Sequence, residues 1–263
     1  MKKTLAVVCL LFLAVSVSAQ MASMPKPEYY LIHEEVARPG MLAQYEATTR
    51  EFLNMLTQQK ADPKVMGMNL YTTTDMHYLY VVPIANFGGV DAINQVFATM
   101  GQAVGKERWA DLNRRGNLAI HSYNEFVALR RPDLSYVPAT PRLKPEERRF
   151  VHWQFYSIDA AHTDDAEQVA KDYVALFKSK NIGDGFSVYQ VMSGNDLPLY
   201  VVASSGKSPA DFYSNDERIN AMAATEMRPL QARVLSYTRK YEVKDGTARP
   251  ELSYPMPAAT TMK

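Results

Sequence analysis

His33 and Glu35 stand two residues apart in Tyr29-Tyr30-Leu31-Ile32-His33-Glu34-Glu35-Val36, a run that reads as a short strand. Side chains two apart on a strand share one face, so an imidazole and a carboxylate are held side by side. Such a pair can move protons near neutral pH, where histidine itself titrates. His121, Tyr123 and Glu125 repeat the arrangement on a later strand, His152 and Gln154 on another, and Tyr237 and Arg239 near the C-terminus. With His121 as a third ligand, His33 and Glu35 would compose the open two-histidine, one-carboxylate set of iron oxygenases. No metal-binding spacing of histidines elsewhere in the chain supports that option.

The remaining sequence excludes more than it offers. Cys9 is the sole cysteine, and it lies in an apolar run, Leu5 to Val17, between Lys2-Lys3 and the small residues Ser18-Ala19. This reads as a secretory signal cleaved after Ala19, too short for a span of about 20 residues. The mature chain would then lack any thiol nucleophile, disulfide or cysteine metal site. A bacterial periplasmic or secreted location is expected. Loss of Lys2 and Lys3 takes 29 basic residues to 27 against 28 acidic ones, a net charge of about −1. Neither nucleic acid nor, after cleavage, a membrane is an expected partner. Phe87-Gly88-Gly89 lacks the spacing of a dinucleotide loop, and Ser204-Ser205-Gly206-Lys207-Ser208 lacks the upstream glycine of a phosphate loop, with Val201 in its place. No serine sits in a nucleophile elbow.

The elements that must carry these residues follow from periodicity. Leu42, Tyr45, Thr49, Phe52, Leu53 and Leu56 predict a helix from Met41, ended by Asp62-Pro63. Val65–Tyr71 and His77–Pro83 predict paired strands. Val90, Ile93, Phe97, Met100 and Val104 predict a second helix, continued through Trp109 to a stop at Gly116-Asn117. Leu118–Leu129 predicts a long strand. The order βαββαβ then recurs: a strand at Phe150–Tyr156, a helical stripe from Ala166 to Phe177, strands at Phe186–Met192 and Leu197–Ala203, a helix within Pro209–Met227, and a strand at Arg233–Val243.

Fragments recur with the elements. Arg131-Pro132-Asp133-Leu134-Ser135-Tyr136 returns 118 residues later as Arg249-Pro250-Glu251-Leu252-Ser253-Tyr254. Leu79-Tyr80-Val81-Val82 returns as Leu199-Tyr200-Val201-Val202, and Ser122-Tyr123 as Ser236-Tyr237. Ile32-His33-Glu34-Glu35-Val36 aligns without a gap on Val151-His152-Trp153-Gln154-Phe155, which pairs His33 with His152. A repeat this long is a whole fold rather than a solenoid unit. The residue before a proline is held extended, so each Arg-Pro segment is expected to cross onto the other half and latch there by its Leu and Tyr.

Two βαββαβ units in one chain resemble the dimeric α/β-barrel superfamily, which includes antibiotic-biosynthesis monooxygenase-like, stress-responsive, NIPSNAP-like and haem-handling proteins. The resemblance implies an α+β fold of two ferredoxin-like repeats packed sheet to sheet as an intramolecular dimeric α/β barrel, an internal pseudo-dimer. The expected division is a signal at 1–19, a leader at 20–28, a first domain at 29–138, a linker at 139–148, a second domain at 149–257 and a tail at 258–263. On the first strand Tyr30, Ile32 and Val36 are the more apolar set and are expected against the helices. His33, Glu35, His121, Tyr123, His152, Gln154, Tyr237 and Arg239 would then face the barrel interior and line a pocket between the halves. The expected function is non-catalytic binding of a small molecule there. The alternative is a cofactor-light monooxygenase or isomerase with His33 or His152 as acid and base. No cofactor is required by the sequence; haem, which relatives hold through a histidine, and iron are the options kept open.

Overall fold

The structure, a computed structural model, describes residues 28–256, so the signal and tail expectations lie outside the described residues. Eight strands occur: β1 (Tyr29–Ala37), β2 (Asn69–Thr73), β3 (His77–Ile84), β4 (Ile120–Arg130), β5 (Phe150–Ile158), β6 (Phe186–Ser193), β7 (Leu199–Gly206) and β8 (Thr238–Ala248). They close into one antiparallel barrel in the order β1-β3-β2-β8-β5-β7-β6-β4. Each half of the chain contributes four adjacent strands, joined to the other half at β2–β8 and β4–β6. The helices α1 (Leu42–Gln58), α2 (Pro63–Met66), α3 (Gly88–Ala103), α4 (Lys106–Ala119), α5 (Thr163–Ser179) and α6 (Pro209–Ser236) link the strands.

Four element boundaries differ from the sequence reading. Pro63 starts the short helix α2, with Asp62 capping the Lys64 amide, so β2 begins later than Val65. The long helix after Gly88 is two helices, because Gly105 adopts φ +92°, a left-handed conformation that favours glycine. Gly116 does not stop α4. In the second half α6 runs on through Pro229 to Ser236, so β8 starts at Thr238, five residues after the expected start at Arg233.

The faces of the strands are exchanged relative to expectation. Leu31 packs on Leu53 and Leu56 of α1 and on Ile93 of α3, so its face, shared by His33 and Glu35, meets the helices. The barrel interior is itself apolar, with Leu79, Val151, Trp153, Val191 and Val201 packed together there. Because β1 and β5 carry buried residues on both faces, hydrophobicity does not tell one face from the other there. Gly246 lies where a Cβ would stand 2.3 Å from the Trp153 ring, so only glycine lets the indole fill the barrel at that level.

The repeated hexapeptides close the two halves onto each other. Leu134 is fully buried beside Ile158, Ala166 and Val188 of the second half, while Leu252 is fully buried beside Tyr45, Leu70 and Tyr78 of the first. Arg131 pairs with Glu167 on α5, and Arg249 with Glu46 on α1. Tyr200 and Tyr78 donate to those same two carboxylates. Ser135 Oγ accepts from the Val188 amide at 2.9 Å and Ser253 Oγ from the Leu70 amide at 3.0 Å. The latch expected from the Arg-Pro segments is thus made twice, reciprocally.

Candidate functional site

Two cavities lie between the outer sheet face and the helices, one in each half. The first, about 360 Å³, is walled by Leu31, Phe52, Met66, Ile93, Phe97 and Trp109 and ends at His33 and Glu35. Its volume and mixed lining are those of a small-molecule site. His33 and Glu125 are opposed across the β1–β4 pair, and Tyr80 opposes His33 from β3. Nε2 of His33 lies 3.1 Å from Glu35 and Nδ1 3.1 Å from Glu125, so the ring is bracketed by two carboxylates. Tyr45, projecting from α1, donates to the other oxygen of Glu35 and is 2.7 Å from the Tyr80 hydroxyl, which therefore donates to it. Thr49 stands one helical turn beyond, within 3.5 Å of Tyr80. The result is a continuous chain Tyr80–Tyr45–Glu35–His33–Glu125 at one end of an apolar chamber.

Electrostatics fit proton exchange at His33. Burial works to lower its pKa, but the hydrogen bonds and charges of Glu35 and then Glu125 outweigh burial and leave it above the ordinary histidine value. Burial pushes Tyr45 and Tyr80 upward, reinforced by Glu35, so both phenols stay protonated as donors. A base whose conjugate acid is steadied by an oriented carboxylate is the arrangement that general-base catalysis uses.

The second cavity, about 400 Å³, lies among β5, β6, β7, α5 and α6, with His152 and Gln154 in its lining. His152 Nδ1 is 2.7 Å from Asp245, which also accepts from the Tyr213 hydroxyl. Phe212 stacks on the His152 ring at 4.8 Å. Tyr123 stacks on His33 from outside the first cavity and is largely exposed. His121 is exposed on β4 with no side-chain hydrogen bond among the described residues. Tyr237 caps α6 and stacks on His162, and Arg239 donates to the carbonyls of Ile158 and Leu197, away from both cavities. A third cavity, about 750 Å³, occupies the barrel interior and one mouth, but none of the eight nominated residues lines it. The pocket expected between the halves is corrected accordingly: the nominated histidines belong to separate pockets outside the barrel.

The pairing of His33 with His152 is also corrected. A register shift falls between Val36 and Ala37 in β1 and between Ser157 and Ile158 in β5, and the Ala37 and Ile158 amides make matching bonds to Met76 and Pro198. Counting back from these points, His33 corresponds to Gln154 and His152 to Leu31. The gapless alignment slipped by two, which alternation conceals because a two-residue slip leaves every side chain on its face. Tyr45, Tyr80, Tyr213 and Asp245 were not singled out from sequence. The detectable signal was a tyrosine within the α1 stripe; Asp245 lay beyond the expected strand end.

Iron finds no ligand set: both His33 nitrogens are engaged by carboxylates, His121 is remote from them in contact, and among the described residues no group of three or more metal-type ligands assembles. Haem is compatible with the fold, but neither helix-side cavity presents a lysine or arginine in its lining for the haem carboxylates.

No family model matches the sequence, and no curated protein matches it. The fold, however, is shared with solved structures. The structure of an anthrone oxidase-like protein superposes with a TM-score of 0.55 at 10% identity, over 86% of this chain and 92% of that one. A variant of the chlorite dismutase of Candidatus Nitrospira defluvii gives 0.54 at 9%, over 85% and 92%. A proposed monooxygenase of Fusobacterium nucleatum gives 0.51 at 8%, over 86% and 94%. Their names are those of enzymes and oxidase-like proteins, which corrects the expectation of a non-catalytic binding module. The likenesses establish an α+β fold with a closed eight-stranded barrel of the dimeric α/β-barrel type.

Proposed function

We propose that the chain is an acid–base enzyme, a cofactor-light monooxygenase or isomerase whose reaction centre is the first-half cavity. The observation that carries this reading is the hydrogen-bonded chain Tyr80–Tyr45–Glu35–His33–Glu125 at the polar end of an otherwise apolar chamber. The chamber suits a planar, mainly apolar substrate with one acidic C–H beside a carbonyl. His33 takes that proton at Nδ1 once the substrate displaces the more exposed Glu125 from it, Glu35 steadies the imidazolium from Nε2, and Tyr45 keeps Glu35 in place. In an isomerase the proton returns at another carbon. In a monooxygenase the carbanion gives its electrons to dioxygen, as when an anthrone and O₂ give the quinone and water. His152 is assigned no part in this step. Duplication is part of the same reading: two ferredoxin-like repeats, 29–138 and 149–257, joined sheet to sheet as an internal pseudo-dimer and exported by the segment 1–19.

The test is oxygen uptake and quinone formation with anthrone, together with solvent-deuterium exchange into a panel of planar enolisable ketones, each against the uncatalysed rate. At least one substrate should be accelerated, and His33→Gln should lower kcat by about a hundred- to ten-thousand-fold. A panel with no acceleration, or a His33→Gln protein as fast as the parent, sinks the reading.

A further inference from the structure

The two helix-side cavities occupy corresponding places in the two halves, yet their polar residues do not correspond. Glu46 and Glu167 take the same Arg and Tyr partners, and Tyr78 and Tyr200 are those tyrosines, which aligns α1 with α5 and β3 with β7. In that alignment Gln154 stands for His33, Tyr156 for Glu35, Ala166 for Tyr45, Ala170 for Thr49, Val202 for Tyr80 and Val243 for Glu125. Every member of the acid–base chain is lost. The histidine of the second cavity sits where the first is apolar: His152 and Asp245 oppose each other where Leu31 opposes Val127.

The chemistry of the second cavity is distinctive. Three carboxylates line it, Glu167, Asp184 and Asp216, and no lysine or arginine does. Glu167 is held by Arg131, and Asp184 by Arg142 and Arg218. Asp216 has only the Asn220 amide, at 3.0 Å, and among the described residues no basic side chain pairs with it. Burial raises its pKa, only partly countered by nearby His152. Asp245 accepts from His152 Nδ1, so in the neutral ring Nε2 is left as an acceptor. The walls around these acceptors are aromatic, with Tyr156, Tyr173, Phe177, Phe186 and Phe212.

We propose that the second-half cavity is a separate binding site for a compact primary amine with an aromatic body, its ammonium shared by Asp216 and His152 and its ring held by the aromatic wall. A cation supplies the charge that Asp216 lacks, and its N–H groups match the acceptors. Aromatic faces favour a nearby positive charge as well as the ring. An anion of the same shape would meet an uncompensated carboxylate. The site is distinct from the reaction centre in the first half.

Direct binding needs no turnover, so the proposal stands or falls apart from the proposed reaction. Calorimetric titration of the whole protein with 2-phenylethylamine, with 2-phenylethanol as the neutral isostere and 3-phenylpropanoate as the anion, tests it. The amine should bind at least about tenfold more tightly than the alcohol, and the anion should not bind. Asp216→Asn should cost the amine at least about tenfold and leave the alcohol unaffected, with circular dichroism reporting the fold. Equal binding of amine and alcohol, no binding of the amine at millimolar concentration, or an unaltered amine affinity in a folded Asp216→Asn protein overturns the assignment.

Discussion

Truncating Leu252 to alanine probes the reciprocal latch most directly. Leu252 has no exposed surface and lies among Ala37, Tyr45, Leu70, Tyr78 and Ala119, all residues of the first half, although it follows the last strand of the second. Removing three carbons at about 0.8 kcal/mol each gives about 2.4 kcal/mol for lost transfer. A closed barrel end cannot collapse fully into the void, so the cavity adds to this and the total should reach about 3–4 kcal/mol, within the range of buried leucine truncations. Leu134, equally buried in the mirror position, should cost the same. For a chain of this size each kcal/mol is worth about 2–4 °C in Tm.

The assay is urea and thermal unfolding of Leu134→Ala, Leu252→Ala and the double variant, with Val137→Ala as control. Val137 adjoins the first latch but is 69% exposed, and its truncation should stay within about 0.5 kcal/mol. The two leucines belong to different clusters, so their costs should add to within about 0.5 kcal/mol. A loss below about 1 kcal/mol at either leucine would refute the reasoning, since no fully buried latch residue could then be held as described.

Three further outcomes follow from the site and the barrel. His33 has a folded pKa above its ordinary value, so its contribution to stability is full below about pH 6.5 and fades as pH rises through the folded pKa. The stability gap between the parent and His33→Gln, read from urea midpoints, should therefore shrink as pH rises; a gap that widens contradicts the bracketing by Glu35 and Glu125. Glu35→Gln should lower the His33 pKa seen by NMR, since one of the two charges favouring the imidazolium is gone. Gly246→Ala should cost about 1–3 kcal/mol and shift Trp153 emission, because the new Cβ would meet the indole ring; unchanged melting and emission would count against it.

Alternation carried much of the fold and one part of the site. It grouped His33 with Glu35 and Glu125, and His152 with Gln154, each set on one face, and the structure keeps them together. It could not say which face, since Trp153 and Val151 fill a barrel as apolar as the helix-side core. Tyr45 read as one apolar position in a helical stripe, and only the packing of α1 over β1 turns its hydroxyl into a partner for Glu35. Tyr213 and Asp245 meet only because α6 continues past Pro229 and delays β8. A proline inside a helical pattern is a local signal to stop, and tertiary contacts override it here.

The latches explain why the two cavities were free to differ. Each half closes its core with a segment of the other, through a buried leucine, a serine hydroxyl taking a strand amide, and an arginine–glutamate pair shared with a tyrosine. These contacts lie at one end of each helix–sheet layer and are kept in both halves. Leu134, Glu167, Val188 and Tyr200 serve both the wall of the second cavity and the latch, whereas the side chains of Tyr80 and His33 in the first cavity and of His152 and Val202 in the second make no hydrogen bond to a latch residue. Exchanging Tyr80 for Val202 therefore changes what a cavity can bind while leaving the hydrogen bonds and ion pairs of the latch in place, and Tyr45 and Ala166 meet the latch only through packing on Leu252 and Leu134. A polar residue buried there must find its own partners, and each cavity has done so separately: Glu35 and Glu125 for His33, Asp245 for His152. Matching closure with differing walls is the condition under which one fold can hold different chemistry on its two sides.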